Sequence, residues 1–156
     1  MPSGSCLCGA IAYSYSGNPA SKALCHCLTC RKLTSSTSAM TILLPTPQFN
    51  LPDTTTSSEH YRTYTAVHET GVELTAHFCA NCSSVCWKTS EQGWPGFVVI
   101  FAGTLNEAEG GKGGVAEVSP EAELWIKHRV PWLKSLDGGE GDGKGTVHQF
   151  EGFPPQ

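Results

Sequence analysis

The sequence has few basic residues, and this scarcity limits its partners. It contains 10 Lys and Arg against 14 Asp and Glu, which gives a formal net charge of -4 at pH 7 and a pI of about 5.8. No run of basic residues occurs. Because affinity for a phosphate backbone comes mainly from clustered Lys and Arg, the composition argues against a nucleic-acid-binding protein.

Long apolar stretches are missing as well. No window approaches the roughly 20 apolar residues of a membrane span. The opening residues, Met1 to Cys6, lack the charged start and the apolar stretch of a secretory signal. We therefore expect a soluble, cytoplasmic protein with no membrane partner. In that compartment its eight cysteines should be reduced thiols that can bind metal, rather than disulfides.

The content of glycine and proline favours strands over helices. With 17 glycines and 10 prolines, the chain has little room for long helices, so we predict a mainly β fold of short strands and tight turns. We place one domain at residues 1–136 and a Gly-rich acidic segment with the C-terminal tail at 137–156, where we expect 137–145 to be mobile. A surface loop is predicted at 45–59. The predicted strands are 10–15, 38–44, 61–65, 72–78, 85–88, 97–102 and 123–126.

Seven of the eight cysteines fall into three blocks, of which the first and the last are pairs. Cys6 and Cys8 form the first pair, and Cys79 and Cys82 form a Cys-x-x-Cys pair. A Cys-x-x-Cys turn brings two thiolates close enough to share one tetrahedral ion, and structural zinc usually has four Cys or His ligands. We therefore predict that the two pairs together hold a structural zinc. Such an ion would tie the N-terminus to the middle of the chain.

The middle block offers three more thiols, those of Cys25, Cys27 and Cys30. Three protein ligands with an open fourth position are typical of a zinc centre that binds water or substrate. All-sulfur coordination favours a further thiolate as the fourth ligand, so we predict a second, catalytic zinc that binds a small thiol. Two alternatives remain: Cys79 and Cys82 as a redox pair, and ligation of an iron–sulfur cluster by the same thiols.

Several other residues each have two interpretations. His26 lies between two predicted ligands, and we interpret it as a support of the metal site rather than a ligand. His68 and Glu69 precede a predicted turn; they are either proton-transfer groups of the reaction or plain surface residues. Arg129 with Trp132 either binds an anionic ligand, since a guanidinium pairs with a carboxylate, or fastens the C-terminal strand.

Cys86 and the aromatic residues near it are interpreted by their apolar character. Cys86 is expected to be a small buried residue, although it remains free to approach either metal site. Trp87, Trp94 and Phe97 are predicted to belong to the core or to the wall of a pocket.

A set of motifs between about Ser3 and Leu133 matches a known pattern: Gly4-Ser5-Cys6-Leu7-Cys8-Gly9, Cys25-His26-Cys27-x-x-Cys30-Arg31, Phe78-Cys79-x-x-Cys82, Ala102-Gly103-Thr104-Leu105 and Arg129-x-Pro131-Trp132-Leu133. With these motifs the sequence resembles the glutathione-dependent formaldehyde-activating enzyme family, which includes the centromere protein V-like domains. The three cysteine blocks in this order are the most specific part of the resemblance.

The resemblance implies a zinc-binding, Mss4-like fold built from small antiparallel sheets. It also implies a structural zinc at the first and last blocks and a second zinc at the middle block. The activity for which the family is named is a carbon–sulfur lyase reaction, the condensation of glutathione with formaldehyde to S-hydroxymethylglutathione and its reversal. Two positions depart from similar proteins: Ser83 stands where Gly is common, and Cys86 stands where Pro or Leu is expected.

Three functional hypotheses follow. In the first, a zinc-dependent carbon–sulfur lyase adds the thiol of glutathione, its co-substrate, to formaldehyde or a related aldehyde. In the second, a zinc-dependent lyase or hydrolyase modifies a small metabolite without glutathione. In the third, the chain is a non-catalytic zinc module that binds a protein partner. The sequence does not identify the substrate, and it does not decide between a monomer and a homodimer.

Overall fold

The structure is a computed structural model that describes residues 1–108, 112–136 and 146–155. The segment 137–145, for which we predicted mobility, lies outside the described residues. The chain is mainly β, as its composition predicted. Its α-helices are α1 (Leu28–Thr34) and α2 (Asp53–Thr56). Its strands are β1 (Ser3–Ser5), β2 (Ala12–Tyr15), β3 (Ser21–Cys25), β4 (Ala39–Pro45), β5 (Phe49–Asn50), β6 (Tyr61–Val67), β7 (Glu73–Cys79), β8 (Val85–Thr89), β9 (Phe97–Phe101), β10 (Glu107–Ala108), β11 (Lys112–Gly113), β12 (Ala122–Leu124) and β13 (His148–Phe150).

Most strands belong to one large sheet. Among the described residues it has eight strands in the order β13-β12-β3-β4-β9-β8-β7-β6. The pairings are antiparallel, except that β12 runs parallel to both β3 and β13. A parallel pair needs a long connection, which the chain between β3 and β12 provides. A second sheet contains β1, β2 and β5, and β10 pairs with β11.

The larger hydrophobic core lies between the large sheet and the three-stranded sheet. Successive side chains of a strand point to opposite faces, and alternate residues of β4 and β9, such as Ile42, Val98 and Ile100, are buried in this core. Trp87 of β8 is 1% exposed and meets the ring of Tyr13 from β2 edge-to-face. Each fully buried aliphatic side chain contributes roughly 1.5–3 kcal/mol, so this core is a main source of the stability of the fold.

The opposite face of the large sheet carries a second, smaller core. Phe101 follows Ile100 on β9 and therefore points away from the larger core. It packs with Cys25 at the end of β3, with Ala39 of β4 and with Trp125. The middle cysteine block therefore lies on the face of the sheet that the three-stranded sheet does not cover.

The strands predicted at 61–65, 72–78, 85–88 and 97–102 are present, with ends that differ by two residues at most. The predicted loop at 45–59 contains β5 and α2. The sequence did not predict β3 or α1, which flank the middle cysteine block. β3 lacks β-branched residues, and α1 is too short for a helical period to show. No described helix has the length and apolar content that a membrane crossing requires.

Candidate metal centres and the adjoining cavity

The first cysteine group lies where the turn after β1 meets the turn between β7 and β8. The sulfurs of Cys6, Cys8, Cys79 and Cys82 all lie within 4.8 Å of one another. The sulfur of Cys8 is 3.7 Å from the sulfurs of both Cys6 and Cys79. Tetrahedral coordination with Zn–S bonds of about 2.3 Å requires sulfurs roughly 3.8 Å apart. The donor set and its spacing are therefore compatible with zinc.

The turn that carries Cys79 and Cys82 explains why glycine is common at the position of Ser83 in similar proteins. Ser83 has a φ of 65°, in the left-handed region, and its N–H donates to the carbonyl of Cys79 at 2.8 Å. A non-glycine residue there costs roughly 1–2 kcal/mol, so glycine is the favoured residue at this position. The next residue, Ser84, hydrogen-bonds the sulfur of Cys82 at 3.3 Å and lowers the pKa of Cys82 to about 5.

The second cysteine group forms at the end of β3 and the start of α1. The sulfurs of Cys25, Cys27 and Cys30 lie within 4.8 Å of one another, and each residue is at most 4% exposed. Cys27 also caps α1, because its sulfur accepts the backbone N–H of Cys30 at 3.2 Å. Among the described residues, no other Cys, His or carboxylate joins this group. The group offers a metal three sulfur ligands, a set compatible with zinc.

Lys88 is buried beside the second group, although the sequence did not mark it as a site residue. Its Nζ donates to the sulfur of Cys30 at 3.1 Å, and the residue is 5% exposed. Burial alone would lower the pKa of Lys88, but the thiols of Cys30, Cys25 and Cys27 raise it above its ordinary value. Hydrogen bonds from Cys25 and Cys27, together with the charge of Lys88, hold the pKa of Cys30 well below its usual value. Each member of the pair therefore favours the charged form of the other.

A cavity of about 380 Å³ reaches Cys25 and Lys88. It lies on the second face of the large sheet, and its wall comes from β3, β4, β8, β9, β12, the loop before β9 and the C-terminal tail. Within this wall, as far as the structure describes it, only Lys88 is a charged residue. The prediction of a pocket wall is confirmed for two aromatic residues, Trp94 and Phe97. Apolar wall residues include Leu43, Trp94, Phe97, Val99, Leu124 and Phe153.

His26 bonds to a buried carboxylate rather than to the cysteines around it. Its Nε2 lies 2.9 Å from Oε1 of Glu123, and both side chains are 1% exposed. The other oxygen of Glu123 accepts hydrogen bonds from Arg129 at 3.0 Å and from Gln149 at 2.7 Å. Burial raises the pKa of Glu123, but hydrogen bonds from the Leu136 N–H, Gln149 and His26 outweigh it and lower the pKa to about 2. Arg129 therefore links β12 to β13.

His68 and Glu69 are neighbours in sequence but lie in different surroundings. His68 is 2% exposed and meets the ring of Trp125 edge-to-face, with 4.9 Å between ring centroids. Burial and the charge of Lys88 lower the pKa of His68, and its Nε2 has no hydrogen-bond partner in the described part of the chain. The carboxylate of Glu69 is hydrogen-bonded to His128, with Oε2 2.9 Å from Nε2. Burial raises the pKa of Glu69, but the bond from His128 holds it below its usual value.

Two other residues singled out from the sequence lie away from both cysteine groups. Cys86 is fully buried in the larger core and belongs to neither group. Trp132 is 72% exposed and does not line the cavity. The one sequence signal that could have identified Lys88 was the charge itself, since this Lys follows three apolar residues of its strand, Val85, Cys86 and Trp87. The sequence held no comparable signal for Glu123.

Comparisons with known proteins identify a family whose matched region includes both cysteine groups. The family model for the glutathione-dependent formaldehyde-activating enzyme matches residues 1–128, which contain both cysteine groups. A search of curated proteins finds no match. Among solved structures, the crystal structure of a Rhodobacter sphaeroides protein is similar, with a TM-score of 0.52 and 17% sequence identity over 69% of this chain and 91% of that chain. At this identity the likeness concerns the fold alone. Since the family model covers most of its length, the chain belongs to the glutathione-dependent formaldehyde-activating enzyme family.

Proposed function

We propose that the protein is a zinc-dependent carbon–sulfur lyase that adds a thiol to the carbonyl carbon of an aldehyde and catalyses the reverse reaction. Glutathione and formaldehyde are the thiol and the aldehyde named in the description of the family. The observation that carries the proposal is the convergence of three buried thiols, Cys25, Cys27 and Cys30, next to a cavity. A closed structural site would need no such cavity beside it.

In this mechanism Cys25, Cys27 and Cys30 would hold the zinc. When bound, zinc would lower the pKa of a substrate thiol and favour its thiolate. In the forward direction the sulfur forms a bond to the aldehyde carbon, and the π electrons of the carbonyl move to its oxygen. That oxygen then takes up the proton that the thiol released. In the reverse direction the hydroxyl loses its proton and the carbonyl re-forms. The electron pair of the carbon–sulfur bond leaves with the sulfur, and the released proton restores the thiol.

The residues around the cavity support this reaction in two ways. Lys88 places an ammonium beside the second cysteine group, where it can donate a hydrogen bond to an oxygen that becomes negative. Apolar walls exclude water and so strengthen that interaction. Of the two predicted proton-transfer groups, His68 is better supported. Its ring lies 5.2 Å from that of Phe153 in the cavity wall, and its buried Nε2 has no partner among the described residues, while Glu69 is hydrogen-bonded to His128.

The cavity also favours a second candidate function. Glutathione carries carboxylates and an ammonium, and such groups need polar partners when they leave water. The described wall offers one charged residue, Lys88, among mostly apolar ones. A zinc-dependent lyase or hydrolyase that acts on a small metabolite without glutathione would use the same three cysteines and the same lysine.

Metal content and turnover of a Cys27→Ser variant test the proposal. The wild-type protein is expected to bind two zinc ions per chain, and the variant only one. The variant should also lose thiol addition to formaldehyde, followed by NMR, while keeping its circular dichroism spectrum. Cys86→Ala is the control, since Cys86 belongs to neither group, and it should keep both ions. Full activity in Cys27→Ser would contradict the proposal, and turnover that needs no glutathione would favour the second candidate.

A further inference from the structure

We infer that the cavity beside Cys25 binds a hydrophobic carbonyl compound, an aryl or medium-chain alkyl aldehyde, with its oxygen at Lys88 and its hydrocarbon part against Trp94 and Phe153. The inference rests on the proposed function, because it names the class of aldehyde that the same site takes. The size of the cavity, the apolar character of its wall, the ammonium of Lys88 and the C-terminal tail each support it.

The cavity is much larger than formaldehyde. It measures about 380 Å³, whereas a protein cavity of about 150 Å³ already holds benzene and a water molecule accounts for roughly 30 Å³ of the liquid. A one-carbon aldehyde would leave most of this space to water against apolar walls, which is unfavourable. A ligand with a ring system or a medium-length alkyl chain removes that water and gains the burial of its own apolar surface.

The wall offers such a ligand mainly apolar contacts. Leu43 of β4, Val99 of β9 and Leu124 of β12 line the same cavity from neighbouring parts of the sheet. Thr41 is one of the few polar residues of the wall, but its hydroxyl already donates to the carbonyl of Ala23 at 2.8 Å. The wall therefore favours hydrocarbon over the charged groups of a peptide such as glutathione.

The charged donor of the cavity lies beside an aromatic wall residue. The ammonium of Lys88 is 5.2 Å from the centroid of the Trp94 ring, and both residues line the cavity. A carbonyl oxygen is an acceptor that suits an ammonium donor. Because Cys25 lines the same cavity, an oxygen at Lys88 places the carbonyl carbon near the second cysteine group.

The C-terminal tail forms one side of the cavity. Phe153, Pro154 and Pro155 are wall residues, and the ring of Phe153 lies 5.2 Å from that of Trp125 and 6.1 Å from that of Trp94. Pairing of β13 with β12 holds this tail on the sheet. These residues lie beyond the 1–128 match to the family model, so this wall is an addition to the matched region. Phe153 is therefore a specificity-determining residue.

Binding of unreactive amides tests the inference. Naphthalene-2-carboxamide presents the ring and the oxygen of an aryl aldehyde but does not react with thiols. Isothermal titration calorimetry on the full chain should give a dissociation constant at least about tenfold below that of acetamide, which lacks the ring system, and about tenfold below that of naphthalene, which lacks the oxygen.

Two substitutions change the cavity in opposite directions. Phe153→Ala removes part of the wall, and Leu43→Trp fills the space with an indole; each should weaken carboxamide binding about tenfold or more. Tyr64→Ala is the matched control, because it removes an aromatic ring that is 64% exposed on β6 and does not line the cavity. It should leave binding unchanged. If one wall variant does not fold, the other still tests the inference.

Three results would overturn the inference: equal affinity for acetamide and the carboxamide, unchanged binding in every folded wall variant, and naphthalene that binds as tightly as the carboxamide. Failure of the inference is distinguishable from failure of the proposed function. Turnover of formaldehyde and glutathione by a protein that does not bind the carboxamide overturns the inference alone. The expected binding pattern without thiol addition to any aldehyde overturns the proposed function and supports the binding preference inferred for the cavity.

Discussion

The ammonium of Lys88 lies 3.1 Å from the sulfur of Cys30, and both residues are buried. A buried cation is costly unless an opposite charge accompanies it, and the partner that Lys88 contacts is the sulfur of Cys30, whose pKa is held well below its usual value. If Cys25, Cys27 and Cys30 held a divalent ion as three thiolates, one negative charge would be in excess, and Lys88 would balance it.

Lys88→Met should lower the zinc affinity of the second group by about tenfold or more, because a hydrogen bond to a charged group is worth roughly 1.5–3 kcal/mol. The four-cysteine group should keep its affinity. Competition with a chromogenic chelator measures both. Lys22→Met is the control, since Lys22 forms an exposed ion pair with Glu121 at 2.9 Å, and its effect should be negligible. Equal zinc affinity in Lys88→Met and the wild type would rule out this stabilisation.

Glu123→Gln should destabilise the fold by roughly 3 kcal/mol. The carboxylate is 1% exposed and pairs with both His26 and Arg129, and removal of one partner of a buried pair leaves the other charge uncompensated. Urea denaturation measures the loss. Glu121→Gln offers a matched control two residues earlier, because that carboxylate is 56% exposed and pairs with Lys22, so its loss should cost less than about 1 kcal/mol. Similar losses in the two variants would contradict this role of Glu123.

The stability of the fold should decrease as pH falls from about 6.5 towards 4, in part because of His77. Its ring nitrogens hydrogen-bond the hydroxyls of Tyr61 and Thr89, and burial lowers the pKa of His77 from 6.5 to about 4. Within that range the unfolded chain binds more protons than the folded one, so acid favours unfolding. The stability of His77→Gln, followed by urea denaturation, should depend less steeply on pH than that of the wild type. Metal release in acid affects both proteins, so only a difference between their pH profiles of stability reports on His77. Parallel profiles would refute its contribution.

Gly4→Ala should destabilise the fold by roughly 1–3 kcal/mol, the usual cost of overpacking. A Cβ at this position would overlap ring atoms of Tyr13. The ring cannot move aside freely, because its hydroxyl bonds to Thr104 at 2.8 Å and the residue is 2% exposed. Thermal unfolding by circular dichroism measures the change. Gly103→Ala is the control, since a Cβ there meets nothing within 4 Å, and a comparable loss in that variant would disprove the steric explanation.

Local sequence features were enough for the mainly β fold and for the grouping of most thiols. Alternation of apolar residues predicted β7, and the apolar run of 97–102 predicted β9. The spacing of Cys25, Cys27 and Cys30 brings three thiols together within one turn of chain, so their proximity hardly depends on the rest of the fold. The same holds for the Cys-x-x-Cys turn, where the structure adds the reason for glycine at the position of Ser83, a left-handed φ.

One contact between distant parts of the chain was predicted, that of Cys6 and Cys8 with Cys79 and Cys82, but other long-range contacts were beyond such patterns. Lys88 and Cys30 are 58 residues apart, and His26 and Glu123 are 97 apart. Phe153 reaches the cavity only because β13 pairs with β12 at the edge of the sheet. No local sequence signal specifies these contacts, since each depends on which strands become neighbours in the sheet and in which register they pair.

The sequence by itself determined the mainly β class, the family and the cysteines available to a metal, because these depend on composition and on short spacings. The tertiary structure decided what surrounds the second cysteine group. A shift of one residue in the pairing of β3 with β4 would turn Cys25 and Ala23 to the other face of the sheet. The register of the large sheet therefore places Cys25, Lys88 and the apolar wall around one cavity.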